Sequence, residues 1–332
     1  MMHLKDAIAE TCRLSMILGI VALTINGVLG CASNTPPTLT PANYKQLLER
    51  QKAGIALDEQ TVQQPPELSA EEYERLGDSY TRQSNIPMAF VQYDHSLRMD
   101  PSRVRVRYKV GHLYLLKGHW QDARQEFKEI LNQDAKYTAA RVGMGESFFY
   151  SGDLKEAEDN FLQALVLDPL LWRAHNFLGI LYDQQGRYPE AVKEFQAALV
   201  EKPQEPALHN NLGMAYYLNG QYEQALLEFK QALQGPKEPK VYTNLALAHT
   251  KLGHFQEAFD AFEQAGTSAA AYNNLGVAHL EARDFKRAAS CFEKAITAHP
   301  TFYEKANDNL RKAQAGLAGN HVIGHAGKEA CL

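Results

Sequence analysis

The sequence predicts an all-α solenoid of seven helix pairs, followed by a helix that caps its C-terminal end. Three columns of residues support this fold class. A glycine, replaced once by alanine, recurs at steps of 34 residues and finally at steps of 33 and 30. An alanine follows twelve residues later in every row, and an aromatic residue four residues after that. Self-similarity at this period is typical of stacked repeats, in which each unit buries its apolar face on its neighbours. The columns are Gly77, Gly111, Gly145, Gly179, Gly213, Ala246 and Gly276; Ala89, Ala123, Ala157, Ala191, Ala225, Ala258 and Ala288; and Tyr93, Phe127, Phe161, Phe195, Phe229, Phe262 and Phe292.

The columns have a structural meaning within each predicted helix pair. A small residue in the middle of the first helix lets the second helix approach closely, which explains a glycine that costs helix stability. The alanine of the second helix is expected opposite it, with the aromatic ring filling the wedge between the helices. Further glycines mark the turn between the helices, where a left-handed residue is favoured, and prolines end the second helix. These residues are Gly118, Gly152, Gly186, Gly220 and Gly253, and Pro101, Pro169, Pro203 and Pro300.

The pattern resembles the tetratricopeptide repeat over residues 70–302. The resemblance implies a right-handed superhelix in which the first helices of successive pairs line the concave face. Ser69 is the expected N-cap of the first helix, and Glu72 completes a capping box. Because the sixth repeat is short, we expect a changed stacking angle between the sixth and seventh pairs. The predicted repeats are 70–103, 104–137, 138–171, 172–205, 206–238, 239–268 and 269–302.

The C-terminal end is predicted to hold a cap helix and a tail. Residues 303–315 are amphipathic, and repeat arrays need such a helix to solvate their last unit. The glycine-rich residues 316–332 are predicted to be disordered. Cys291 is expected to be a small packing residue and Cys331 a free thiol of the tail, with a disulfide between them as the alternative.

Residues 1–31 are predicted to be a lipoprotein-type signal peptide. Two basic residues precede a 17-residue apolar run, shorter than the about 20 residues that a spanning helix needs. A permanent membrane-spanning anchor is the alternative. The run ends in Val-Leu-Gly-Cys at Cys31, which resembles the bacterial lipobox and implies lipidation of that cysteine. Ala32 stands where aspartate would retain a lipoprotein in the inner membrane, so the resemblance implies the outer membrane, facing the periplasm. Residues 32–69, rich in proline, threonine and glutamine, are predicted to be a tether.

Composition and motifs argue against several function classes. The 34 basic and 39 acidic residues give a net charge of −5, without the basic excess of a nucleic-acid binder. Neither HExxH nor GxxxxGK nor GxSxG occurs, so no catalytic residue, cofactor or small-molecule substrate is predicted. His321 and His325 in the predicted tail could contact a metal ion, but two ligands alone do not make a site, so no metal site is predicted. The remaining repeated histidines fall in two repeat columns, which indicates packing; they are His175 and His209, and His249 and His279.

Asparagines on the first helices of repeats four to seven are the predicted peptide-binding residues. They resemble the asparagine ladders with which tetratricopeptide superhelices bind the backbone of an extended peptide, since an amide donates and accepts at once. The alternative is that asparagine is merely common at this position of generic repeats. Repeats one to three lack the ladder, so we expect a peptide on the C-terminal half. The residues are Asn176, Asn210, Asn211, Asn244, Asn273 and Asn274.

The first three repeats contain two charged patterns that bear on partner binding. The clamp that chaperone-binding repeats use for a terminal carboxylate needs lysine and arginine at five places, and only one of the matching residues is basic. Those places hold Glu74, Asp78, Lys109, Ala139 and Gly143. A basic strip on the first helix of repeat two is expected to be solvated, with a patch for an acidic partner or lipid headgroups as the alternative. Its members are Arg103, Arg105, Arg107 and Lys109.

The whole layout resembles the TadD-type lipoproteins of the Tad/Flp pilus system. The features that carry the resemblance are the lipobox-like Cys31, the run of repeats and the shortened penultimate unit. It implies a non-catalytic scaffold in the bacterial cell envelope that binds other proteins during assembly of a pilus or secretion machine. Two alternatives are a pilotin-type lipoprotein that helps secretin assembly and an adaptor that recruits cell-wall enzymes.

Overall fold

The computed structural model describes residues 68–299, 303–319 and 330–332. Within these ranges the chain forms fifteen α-helices and no strand, which confirms the predicted all-α solenoid class. The predicted signal peptide with Cys31, residues 32–67 of the tether, Pro300, His321 and His325 lie outside the described residues. No described helix is long and apolar enough to cross a membrane.

The chain divides into two compact units between Gln133 and Asp134. The first unit contains two helix pairs, α1 with α2 and α3 with α4. The predicted capping box begins it: the Ser69 hydroxyl accepts from the backbone N–H of Glu72, and the Glu72 carboxylate accepts from that of Ser69. Ala89 and Tyr93 of α2 form its core with apolar residues of α3. The bounds are Ala70–Arg82, Ile86–Met99, Val104–Leu116 and Trp120–Gln133 for α1 to α4.

The second unit contains five further pairs, α5 with α6 to α13 with α14, and the single helix α15. Each second helix packs against the first helix of its own pair and against that of the next, which is how stacked repeats share one continuous core. The bounds are Thr138–Ser151, Leu154–Leu167, Trp172–Gln184, Tyr188–Glu201, Pro206–Leu218, Tyr222–Ala232, Pro239–Lys251, Phe255–Ala265, Ser268–Glu281, Phe285–Ala298 and Glu304–Gly319 for α5 to α15.

The glycine column exists because an aromatic ring takes the space of the missing side chain. A Cβ atom added to Gly179 would lie 2.7 Å from Cε1 of Phe195, closer than real carbon contacts come. A Cβ atom added to Gly145 would lie 2.5 Å from Cε1 of Phe161. The sequence indicated that the alanine of the second helix would face the glycine, but the nearest atoms belong to the ring.

The turns between paired helices have the predicted left-handed backbone. The five turn glycines have φ between 74° and 88°. In the first and seventh pairs the corresponding turns contain Ser84 and Arg283, with φ of 58° and 61°. These two residues adopt a conformation that is costly for any residue with a Cβ atom.

The sixth repeat is shortened at the connection that follows its second helix. Helix α12 has 11 residues, and only Gly266 and Thr267 separate it from α13. The Thr267 hydroxyl accepts from the backbone N–H of Ala270, so it caps α13 and fixes the early start of the seventh pair. The changed stacking angle stays a prediction.

The C-terminal end is more ordered than the sequence suggested. Helix α15 extends four residues beyond the predicted cap helix, into the segment predicted to be disordered. Gly316 allows this, because its missing side chain leaves room for the ring of Phe285 on α14. The prediction of two unpaired cysteines is wrong: Cys331 is buried and forms a disulfide with Cys291 of α14, with the Cα atoms 4.8 Å apart.

Candidate protein-binding surface

The structure brings the predicted asparagines together across neighbouring helix pairs of the second unit. Nδ2 of Asn211 on α9 donates to Oδ1 of Asn176 on α7 at 3.2 Å. Nδ2 of Asn244 on α11 donates to Oδ1 of Asn210 on α9 at 2.9 Å. All four side chains are buried. The asparagines therefore form hydrogen-bonded rungs that join one first helix to the next.

A further rung involves an asparagine that the sequence reading missed. Nδ2 of Asn309 on α15 donates to Oδ1 of Asn273 on α13 at 3.1 Å, and both side chains are buried. Asn274 is half-buried and accepts a long bond of 3.5 Å from Asn273. Asn309 follows Asn273 by 36 residues, close to the 35-residue step between Asn176 and Asn211. The repeat step of 34 residues leads from Asn273 to Asn307 instead, so periodicity alone does not find Asn309.

The three rungs leave part of each amide's hydrogen-bonding capacity unused. A carboxamide has two N–H donors and two lone pairs on its oxygen. The rung between Asn244 and Asn210 uses one donor of the first amide and one lone pair of the second. Because the amides are buried, each bond fixes the register of adjacent helices strongly. Contact with a peptide stays a prediction.

An ion pair with a buried carboxylate joins α7, the first helix of the ladder, to α5 of the preceding pair. Arg173 of α7 donates to the carboxylate of Glu146 on α5 at 2.5 Å. Burial raises the pKa of the Glu146 carboxyl, although the charge of Arg173 opposes that shift. Phe149, three residues after Glu146 on α5, has its ring 5.7 Å from that of Phe177. Apolar rings and one compensated charge pair thus line this part of the unit.

Asp183 of α7 carries a carboxylate oxygen without a partner. Oδ1 of Asp183 is buried and has no hydrogen bond among the described residues. Burial raises the pKa of this carboxyl to about 6. Asp183 follows Asn176 by seven residues, two turns along one helix, so the two side chains share a face. A buried acceptor without a donor is unusual in a folded protein.

The paired histidines repeat one arrangement of contacts. Nδ1 of His175 lies 2.7 Å from Glu194, and its Nε2 lies 3.0 Å from the carbonyl oxygen of Pro169. His209 makes the equivalent contacts with Glu228 at 2.6 Å and Pro203 at 3.0 Å. Each histidine therefore joins its helix to the second helix of its own pair and to the preceding loop.

The pKa values of His175, His249 and His279 are shifted, and the directions differ. Burial acts to lower the pKa of His175, but the bonds to Glu194 and to the Pro169 carbonyl outweigh it and raise the pKa. Burial lowers the pKa of His249 and of His279.

The basic strip of α3 is largely neutralised within the first unit. Lys109 donates to Glu74 and to Asp78, both at 2.7 Å, and Arg103 donates to Glu74 at 2.6 Å. Arg107 donates to Glu126 at 2.9 Å. The expectation of a solvated strip is corrected for these three residues, because carboxylates of α1 and α4 face them. Arg105 is exposed.

The described residues contain no group of three or more histidine, cysteine, aspartate or glutamate side chains that could hold a metal ion.

Stacked pairs with a small residue facing an aromatic ring define the tetratricopeptide-repeat class, whose members bind other proteins or peptides. The chain belongs to the family of the cilia and flagella-associated protein 70 C-terminal domain, whose model matches residues 38–273. The model of the tetratricopeptide repeat itself matches residues 269–302. A comparison with curated protein sequences gives no match.

Solved structures show the same fold at low sequence identity. A tetratricopeptide repeat protein of Parabacteroides merdae is 18% identical with a TM-score of 0.50, and the match covers 74% of this chain and 98% of that one. A chain of the Cut9–Hcn1 complex of the APC/C is 21% identical with a TM-score of 0.53, and the match covers 75% of this chain and 50% of that one. The pilF protein of Pseudomonas aeruginosa is 22% identical with a TM-score of 0.50, and the match covers 64% of this chain and 96% of that one. At these identities the likeness concerns the fold alone.

Proposed function

We propose that the chain is a non-catalytic scaffold of the bacterial cell envelope that holds an extended segment of a partner protein along the first helices of its second unit. The asparagine ladder carries this proposal. Its rungs place amides on α7, α9, α11 and α13 at steps of one helix pair. The unused donors and lone pairs of these amides suit a peptide backbone, which offers both an N–H and a C=O at each residue.

The spacing of the rungs fits an extended chain. Packed helices lie about 8–10 Å apart, and an extended peptide rises about 3.3 Å per residue. First helices at that separation would present one rung for about every three residues of the bound segment. A basic side chain of the segment would supply the donor that Asp183 lacks, which favours a partner with a lysine or arginine at that point.

The anchoring part of the proposal depends on the N-terminal sequence. The lipobox-like Cys31 and Ala32 support a lipid-anchored protein of the outer membrane that faces the periplasm, on a tether of polar and proline residues. Several acyl chains would hold it firmly, since each buried CH₂ contributes about 0.8 kcal/mol. A Cys31→Ala variant should lose palmitate label and leave the membrane. A variant that stays membrane-bound and unprocessed would instead indicate a spanning helix.

For the cellular role we propose assembly of a pilus or secretion machine, in the manner of the TadD-type lipoproteins that the layout resembles. The first alternative is a pilotin-type role, in which the chain binds a secretin and its loss leaves secretin monomers in the inner membrane. The second is an adaptor for cell-wall enzymes. A TadD-type protein should copurify with pilus components, and its loss should abolish surface fibres.

A photoreactive residue at position 274 tests the ladder directly. Asn274 is half-buried on α13, so a probe there disturbs the core little. The matched control is a probe at Val166 on α6, a second helix, whose side chain is 81% exposed. We expect crosslinks in cells from position 274 to one defined segment of a partner, and none to that segment from position 166. Capture of the same proteins from both positions would overturn the proposal.

A further inference from the structure

Helix α15 occupies the place of an additional first helix at the end of the array. Asn309 of α15 bonds to Asn273 of α13, as Asn211 of α9 bonds to Asn176 of α7. Ala306, Asn309 and Ala313 of α15 are buried, and their spacing of three and four residues puts them on one face of the helix. The docked helix thereby leaves Asn273 only 1% exposed.

The chain end is tied covalently to the last helix pair. Cys331 forms a disulfide with Cys291 of α14, and the enclosed segment contains α15. The carbonyl oxygen of Cys331 also accepts from Nε2 of His279 on α13 at 3.2 Å. Cys331, Cys291 and His279 are all buried. One residue of the chain end therefore contacts both helices of the last pair.

We propose that the disulfide between Cys291 and Cys331 is a latch that closes when the chain reaches an oxidising compartment and holds α15 over the last rung of the ladder. This inference rests on the export and peptide binding proposed above. In the reduced chain α15 lacks the covalent tie and docks only part of the time. Asn273 is then accessible, and the ladder ends one rung earlier.

The chemistry of closure is thiol–disulfide exchange. The thiolate of one cysteine attacks the disulfide of an oxidised thiol oxidoreductase and forms a mixed disulfide. The second cysteine then attacks the mixed disulfide, which releases the oxidoreductase with two thiols and leaves one S–S bond in the chain. The two thiols of the chain lose two protons and two electrons, and the electrons reduce the oxidant. Because both sulfur atoms are buried after closure, a reductant reaches them only when the chain end opens.

Hydrogen exchange of the full chain in its oxidised and reduced forms tests the latch. Peptide mapping first establishes that residues 291 and 331 are linked in the oxidised sample. On reduction we expect amide exchange in Glu304–Gly319 to quicken at least roughly tenfold, and exchange in Thr138–Ser151 to stay unchanged. Equal exchange of α15 in both forms would overturn the proposal, as would a mapped protein without the 291–331 link.

Two variants make the result specific. Cys331→Ser should show the fast exchange of α15 without reductant and no further change with it. Asn309→Ala removes the last rung while the disulfide still forms, so its α15 should exchange more slowly in the oxidised form than in the reduced form. A Cys331→Ser protein whose α15 exchanges as slowly as the oxidised parent would contradict the latch. These measurements need no peptide, so their failure is distinguishable from failure of the crosslinking at position 274.

Discussion

Nδ2 of Asn244 lies 2.9 Å from Oδ1 of Asn210, a residue 34 positions earlier, and both side chains are buried. The bond joins α11 to α9 and spans one complete repeat. The Asn244 amide joins two repeats, and in the proposed function it also binds a peptide. Experiments must separate the packing role from the binding role. Stability measurements report the first role, and crosslinking reports the second.

Replacing Asn244 by alanine should destabilise the second unit. The change leaves the buried Oδ1 of Asn210 without its donor, and such an orphaned group costs about 1–3 kcal/mol. Urea denaturation followed by circular dichroism measures the free energy of unfolding. In a double-mutant cycle with Asn210→Ala, the double variant should lose less unfolding free energy than the sum of the losses of the two single variants. Strict additivity would show that the rung does not couple the helices.

Replacing Gly179 by alanine should also destabilise the fold. The new Cβ atom would lie 2.7 Å from the ring of Phe195, and such overpacking costs about 1–3 kcal/mol. The sixth repeat offers a matched control, because Ala246 already occupies the column there. Ala246→Gly should lose about 0.5–1 kcal/mol through helix propensity. A Gly179→Ala protein as stable as the parent would show that the ring moves without cost.

Replacing Arg173 by methionine should cost about 3–5 kcal/mol at neutral pH, because it leaves a buried carboxylate uncompensated. Burial raises the folded-state pKa of Glu146 above its unfolded value, so the folded chain favours the protonated acid. The loss should therefore shrink as the pH falls through that raised pKa. Denaturation of parent and variant at pH 7.5 and at pH 5 gives the loss of unfolding free energy at each pH, and the loss at pH 5 should be the smaller. Arg75→Met, at an exposed pair with Glu71, serves as the control and should change little.

Replacing His175 by glutamine should remove a pH-dependent part of the stability. Hydrogen bonds to Glu194 and to the Pro169 carbonyl raise the folded-state pKa of His175 above its unfolded value of about 6.5. The stabilisation is complete below the unfolded pKa and is lost as the pH rises through the folded one. The difference in melting temperature between parent and variant should thus narrow from pH 5.5 to pH 8.5. A difference that widens would contradict the assigned protonation.

The repeat columns could be predicted from sequence because each column residue meets a partner at a fixed spacing. Gly179 and Phe195 belong to one pair, and the same contact recurs in the six rows that contain the glycine, so periodicity finds both columns. The turn glycines and Ser69 follow from local backbone requirements, which the sequence also shows. The class of fold therefore rests on short-range patterns.

The remaining features depend on contacts between pairs that no local pattern encodes. Arg173 and Glu146 are 27 residues apart in the sequence, and neither belongs to one of the columns that repeat along the chain. The bond between Asn309 and Asn273 required knowing that α15 docks like a first helix. Cys331 could pair with Cys291 only if the chain end returned to α14, and composition favoured a free tail instead.

Ser84 and Arg283 place the least favourable backbone in the first and the last, in chain order, of the described turns within helix pairs. A left-handed residue with a Cβ atom costs about 1–2 kcal/mol, whereas the turns between them contain glycine. Local opening in repeat arrays proceeds pair by pair. The first pair, which carries no asparagine rung, should therefore open to a protease or a chaperone before the pairs that contain Asn176, Asn210 and Asn244.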